Sequence, residues 1–268
     1  MTNNGPIFFN LYLQFYIFVT MIGVYDSGIG GLSVLKELIK LMPEEDYIYF
    51  SDSAYCPYGQ KDPEFIRERA TEITKKLIAE GVEIIVVACN TATAAAIDML
   101  RKNFDIPFIG MEPAIKPAVL ESKSGVVGVI ATEGTLKGSL YHNTLDKFSG
   151  SVKVIEKVGE GLVETVEKGV LDGKEVEVMI HKCVDPMLSE GVDHIVLGCT
   201  HYPFLQPVIE RIVGKDVTVI NPAPAVARQT RKVLLDQHNW RPAGIGRRDY
   251  ISSGDVSVLL QFCKKLSI

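Results

Sequence analysis

Residues 82–100 read VEIIVVACNTATAAAIDML, and this stretch decides the fold. A β-branched run, Ile84 to Val87, stops at a polar knuckle, Cys89-Asn90-Thr91, and an alanine-rich helical segment follows. Strands that are apolar on both faces belong to parallel sheets covered by helices on each side. Residues 194–206, HIVLGCTHYPFLQ, repeat the arrangement: apolar strand, cysteine, threonine, helix start. Cys89 and Cys199 stand 110 residues apart, about the length of one small domain. The repeat predicts two similar α/β lobes, each presenting a cysteine at the carboxyl end of a strand. Open parallel sheets bind their ligands at that edge.

The rest of the chain keeps the same rhythm from Met21 onward. IGVYD, DYIYFSD, EIIVVA, IPFIG, SGVVGVIAT, SVKVIEKV, HIVLG, DVTVI and RRDYIS read as strands. Amphipathic helices separate most of them, one with Pro63 near its start and Gly81 past its end. EGTLKGSLYHNTLDKF reads as a single helix, and Gly173 divides two others. The fold class is α/β, with two lobes, each a mainly parallel sheet flanked by helices, and the active site in the cleft between them. The first lobe is expected at 21–113 plus 223–268 and the second at 114–222. The chain crosses near GMEPAIKPA and returns near NPAPA.

Bulk properties exclude several function classes. A net charge of −5 and a pI near 5.6 argue against a nucleic-acid partner bound through a basic face. Five cysteines, an odd number without framework spacing, point to free thiols in a reducing cytoplasm. The first twenty residues carry no charge, so the basic start of a secretory signal is missing. Their apolar stretch, from Leu11 to Tyr25, is shorter than the ~20 residues of a membrane helix. Residues 1–20 are therefore expected to form a non-core extension, with no stable membrane association.

DSGIGG (26–31) follows a strand and opens a helix, and its glycines let backbone N–H groups approach an anion. It is not a dinucleotide motif, because Ser33 occupies the place of the third glycine, and no P-loop lysine follows. Asp26 is a carboxylate at a strand end facing the cleft, suited to tuning a thiol or holding an ammonium group. In ACNTATA (88–94), Asn90 and Thr91 supply donors beside Cys89 in a helix first turn. A cysteine phosphatase needs an arginine six residues after its cysteine, and Ala95 and Leu205 stand there. No CxxC pair exists, and Cys199 with His201 is a single short pair, so no metal site is expected. Tyr58 and Gly59, in the loop AYCPYGQ (54–60), can touch a small ligand, while Cys56, Cys183 and Cys263 have no evident partners.

One activated cysteine suits nucleophilic catalysis, and Cys199 with His201 would serve a thiol hydrolase. Two cysteines facing each other across a cleft suit another task. One thiolate removes a proton from one face of a carbon while the opposite thiol donates to the other face, which inverts a stereocentre. A thiol, with an ordinary pKa of ~8.5, can act as acid or base near cellular pH.

Taken together, DSGIGGLSVL, PYG, VVACNTATA, IATEGT and VLGCTHYP resemble the glutamate racemases of the aspartate/glutamate racemase family, in order from Met21 to the C-terminus. The resemblance implies two pseudo-symmetric lobes, no cofactor, glutamate as the small-molecule substrate, a homodimer, and D-glutamate supplied for cell-wall peptidoglycan. It also implies that Cys89 deprotonates D-glutamate and Cys199 L-glutamate, assisted by Asp26 and His201. Ser27, Tyr58, Gly59, Asn90, Thr91 and Thr200 match the substrate-holding positions, and Glu167, in LVETVEKG, matches a further acidic one. The family pattern GD-x-A-R-x-PYG becomes SDSAYCPYG here, without its arginine. Aspartate racemases share the two-cysteine logic and are the related alternative.

Overall fold

The computed structural model describes residues 20–112, 114–236 and 246–268. The expected N-terminal extension, apart from Thr20, lies outside the described residues, as does Pro113 at the expected lobe boundary.

Five strands build the first sheet: β1 (Met21–Asp26), β2 (Asp46–Ser51), β3 (Ile84–Val87), β4 (Phe108–Gly110) and β9 (Arg248–Ser252). Their order is β4-β3-β1-β2-β9 and every pairing is parallel. Four more form the second: β5 (Val126–Ala131), β6 (Lys153–Val158), β7 (His194–Gly198) and β8 (Thr218–Ile220), in the order β6-β5-β7-β8, again all parallel. This is the expected α/β architecture. β2 and β3 are buried along their whole length, as strands covered on both faces must be. The C-terminal β9 completes the first sheet at its edge, pairing Tyr47 with Arg248 and Ser51 with Ser252.

Local chemistry sets the helices that matter for the site. α1 (Leu32–Leu41) opens directly from the glycine turn after β1. α2 (Pro63–Ala79) is capped by Asp62, whose side chain accepts from Glu64 N, with proline in its first turn. α3 (Asn90–Asn103) begins at the end of β3, with Cys89 itself as the capping residue.

Two segments depart from the sequence reading. α4 (Ile115–Glu121) is not among the helices read from the sequence; its Pro117 sits at the third helical position, where its missing N–H has no partner to lose. The single helix expected over 133–148 is two, α5 (Glu133–Leu136) and α6 (Ser139–Phe148), because the backbone becomes extended at Gly138. After β6 the chain forms α7 (Leu162–Glu167) and α8 (Lys174–Leu188), separated around Gly173 as expected. A 3-10 turn at Tyr202–Leu205 leads into α9 (Gln206–Val213), and α10 (Ala223–Asp236) and α11 (Val256–Leu266) complete the set. One apolar cluster is continuous across both sheets, from Ile22 and Leu35 through Ile130 and Leu162 to Ile195 and Phe262. The lobes are thus packed together, not merely tethered.

Candidate active site

The carboxyl ends of β1, β2, β3, β5 and β7 converge where the two sheets meet, and their loops close around a cavity of about 10 Å³. Ser27, Tyr58, Gly59, Cys89, Asn90, Thr91, Cys199, Thr200 and His201 all line it. Asp26, the remaining sequence-predicted residue, stands immediately behind and receives the Thr200 hydroxyl on Oδ2 at 2.9 Å. Pro57, Thr132 and Val163 complete the wall and were not expected. The volume holds about one water molecule, so the structure is a closed state. Two larger clefts, of about 460 and about 240 Å³, meet the cavity along Gly59 and Thr91 on one side and Thr132 and Val163 on the other.

The turn after β1 ties the two lobes together by hydrogen bonds. Asp26 Oδ1 accepts the Gly28 N–H at 2.8 Å, the Ile29 N–H donates to Glu167 Oε1 at 2.8 Å, and the Ser33 hydroxyl donates to Thr200 O at 2.9 Å. Glycine is required here by close approach. A Cβ at Gly30 would lie 2.4 Å from His201 Nδ1 and 2.7 Å from Thr200 Oγ1.

The two cysteines have different surroundings. Cys89 Sγ accepts the Ala92 N–H at 3.5 Å, and its thiol donates to Ser27 Oγ at 3.8 Å. Burial, reinforced by the negative charge of Asp26, pushes this thiol well above the ordinary range, although the Ala92 and Ser27 contacts pull the other way. Cys199 Sγ lies 3.7 Å from His201 Nδ1, and His201 Nε2 lies 2.6 Å from Glu167 Oε1. Burial alone would discharge His201. Hydrogen bonds with Cys199, Cys56 and Glu167 reverse that and hold the imidazolium well above its usual pKa. Burial would likewise raise Glu167, but the His201 contact, the Ile29 N–H and the Cys56 thiol hold it below the usual value. The result is a protonated thiol on one side and an imidazolium–carboxylate pair beside the other.

Supporting contacts fix the remaining walls. Tyr58 lines the cavity, but its hydroxyl donates to Asp52, so the ring rather than the hydroxyl faces the site. Arg69 of α2 grips the same buried carboxylate through Nε at 2.9 Å and Nη2 at 2.7 Å, and its guanidinium stacks over Tyr55, 4.3 Å from the ring centre. Tyr55 occupies the place of the arginine in the family pattern, so a guanidinium arrives there from a helix instead. Thr91, Thr132 and Thr135 form a hydroxyl chain, with Thr91 to Thr132 at 2.8 Å and Thr132 to Thr135 at 2.9 Å. Asn90 Oδ1 is buried without a hydrogen-bond partner among the described residues. Thr132 belongs to IATEGT, a stretch that carries the family resemblance but marks no site residue; Asp52 and Arg69 have no sequence signal of their role.

Residues 22–230 match the family described as Asp/Glu/hydantoin racemase. The chain belongs to this family. The glutamate racemase of Ectopseudomonas mendocina is 48% identical over 239 residues, covering 88% of this chain and 90% of that protein. Among solved structures, a glutamate racemase isoform of Bacillus anthracis superposes with a TM-score of 0.84 at 32% identity, covering 92% of this chain and 93% of that one. The Francisella tularensis glutamate racemase, solved with D-glutamate, gives a TM-score of 0.82 at 29% identity, covering 92% and 93%. An aspartate racemase homologue of Pyrococcus horikoshii shares the fold at 20% identity, with a TM-score of 0.53 over 80% of this chain and 98% of that one.

Burial lifts the Asp26 carboxyl from 3.8 to about 6, against the opposing pull of His201, the Gly28 N–H and Thr200. The folded protein therefore binds more protons than the unfolded chain between those values, and stability falls as pH rises through them. The shift corresponds to about 3 kcal/mol. The unfolding free energy of the wild type, relative to Asp26→Asn, should drop by about this amount between about pH 4 and pH 6, as read by urea unfolding.

Proposed function

We propose that this racemase-family protein interconverts L- and D-glutamate without a cofactor, using Cys89 and Cys199 as acid and base on opposite faces of Cα. The observation that carries the reading is that equivalent strand ends of two separate sheets each deliver a cysteine to one closed cavity. Cys199, acting as a thiolate with the His201 cation beside its sulphur, removes the α-proton of L-glutamate and becomes a neutral thiol. Cys89, kept protonated by burial, donates to the other face and yields the D-enantiomer. One turnover from L- to D-glutamate leaves Cys199 protonated and Cys89 as the thiolate, the state that takes up D-glutamate.

Substrate holding follows from the same residues. The unpartnered Asn90 Oδ1 accepts from the substrate ammonium. The first turn of α3 and the Thr91–Thr132–Thr135 hydroxyls receive a carboxylate at a helix N-terminus, where backbone N–H groups and the helix dipole favour an anion. Carbanion character beside a carboxylate needs fixed dipoles and exclusion of water, which lobe closure supplies. A cavity of about 10 Å³ cannot admit an amino acid, so the lobes part to load and close to react.

The Cys199–His201–Glu167 chain has the order of a thiol hydrolase, which favours that second reading locally. It leaves Cys89 idle. Incubation with L-glutamate in deuterated water should give D-glutamate carrying deuterium at Cα, while L-aspartate run in parallel stays unchanged. Cys89→Ala should lower racemisation at least ~100-fold. A failure to exchange Cα, or a Cys89→Ala variant with intact activity, would sink the two-thiol reading.

The D-glutamate so formed feeds peptidoglycan synthesis, and the enzyme works in the cytoplasm, where its five thiols stay reduced. No helix among the described residues is long and apolar enough to cross a membrane. The protein acts as a homodimer, so light scattering should give the mass of two chains; a single-chain mass at micromolar concentration would contradict that assignment.

A further inference from the structure

Cys56 has no evident partner in the sequence and takes no part in the two-thiol reaction, yet the fold brings it to the edge of the site. It ends the 3-10 turn Ser53–Tyr55, and its sulphur lies 3.5 Å from Glu167 Oε1. The Cys56 sulphur, a Glu167 oxygen and a His201 ring nitrogen all lie within 4.8 Å of one another. The three come from different loops. Cys56 follows β2 of the first sheet, Glu167 ends α7, and His201 follows β7 of the second sheet. Nothing in their spacing, 56, 167 and 201, marks a metal-binding motif, which is why sequence reading expects none.

We propose that Cys56, Glu167 and His201 form a binding site for a thiophilic divalent cation of the zinc class, and that a bound ion bolts the two lobes shut. Thiolate, imidazole and carboxylate are all zinc ligands, and three protein ligands with one open position is a common arrangement. Around tetrahedral zinc, such donor atoms stand roughly 3.3–3.6 Å apart. The sulphur–oxygen separation is already 3.5 Å, so the main adjustment is to open the 2.6 Å His201–Glu167 contact as its hydrogen bond is exchanged for two metal bonds. Binding releases two protons to solvent, one from the Cys56 thiol and one from the His201 imidazolium, and one thiolate with one carboxylate balances the charge of the ion.

The neighbourhood is shaped to let these groups meet. A Cβ at Gly28 would lie 1.9 Å from Glu167 Oε1 and 3.0 Å from Cys56 Sγ, so any side chain there would drive the ligands apart. The ligands also sit on opposite lobes, one on the first and two on the second. An ion held between them stabilises the closed state, whose cavity is too small for an amino acid, and draws His201 away from Cys199. The predicted effect is reversible inhibition that substrate opposes, independent of which amino acid the enzyme takes.

Zinc titration of the ligand-free, full-length protein tests this by calorimetry, with cobalt(II) as a spectroscopic probe. The wild type should take up one tight ion per chain and show a thiolate-to-cobalt charge-transfer band. Cys56→Ala and Cys56→Ser should each weaken zinc binding at least tenfold and lose the band, with unchanged thermal unfolding. Cys183→Ala, on the far helix α8, should bind as the wild type does. Zinc binding unaltered in both Cys56 variants, no zinc uptake by the wild type, or loss of binding in Cys89→Ala instead, which would assign the ion to the two reaction thiols, would each overturn the site.

Discussion

One short turn carries three side-chain hydrogen bonds between the two closed lobes. Asp26, Ile29 and Ser33, within DSGIGGLS, each make a hydrogen bond to the second lobe, at Thr200 Oγ1, Glu167 Oε1 and Thr200 O. These bonds tie the carboxyl end of β1 to the residues that flank Cys199. The glycines of the turn contribute by absence, since a methyl group at Gly28 or Gly30 would strike Glu167 or His201. Buried polar groups such as these are costly when unpaired, so the closed state is specified by mutual satisfaction of donors and acceptors. Opening the cleft exposes them to water, which limits the cost of letting substrate in.

From that contact follows the asymmetry of the two thiols. Asp26 lies within one lobe's strand end but sends its charge to both sides, raising Cys89 and favouring the His201 cation. A symmetric fold thereby gives its two thiols unlike surroundings. A racemase needs one proton in one of two places, and a site with both thiols equally charged would disfavour either first step. Burial does most of this, because in a water-poor cavity one nearby charge is worth far more than at a surface. The price is a carboxylate, Asp26, that is itself half inclined to be neutral near pH 6.

Much of this was legible in the sequence, for identifiable reasons. Wholly apolar strands such as IIVV and HIVLG force burial on both faces, so parallel sheets and flanking helices could be read directly. The twin cysteines were visible because each interrupts such a strand at its end. Less visible was anything that depends on a fold-made contact between distant residues. The sequence offers Tyr58 as a ligand contact, and its ring lines the cavity, but its hydroxyl donates to Asp52, which Arg69 also holds, and no local pattern joins 52, 58 and 69. Cys56 offered no local partner, yet it meets Glu167, 111 residues away. Pro117 disguised α4 because a proline's helix penalty depends on its place in the first turn, which only the observed boundary fixes.

Stereospecific exchange in the single-cysteine variants tests the two-face assignment most directly. In deuterated water, Cys199→Ala should exchange the α-proton of D-glutamate alone, through Cys89, and Cys89→Ala that of L-glutamate alone, through Cys199. Neither variant should form the opposite enantiomer. Exchange of the same enantiomer by both variants, or inversion by either one, would contradict the assignment of one thiol to each face.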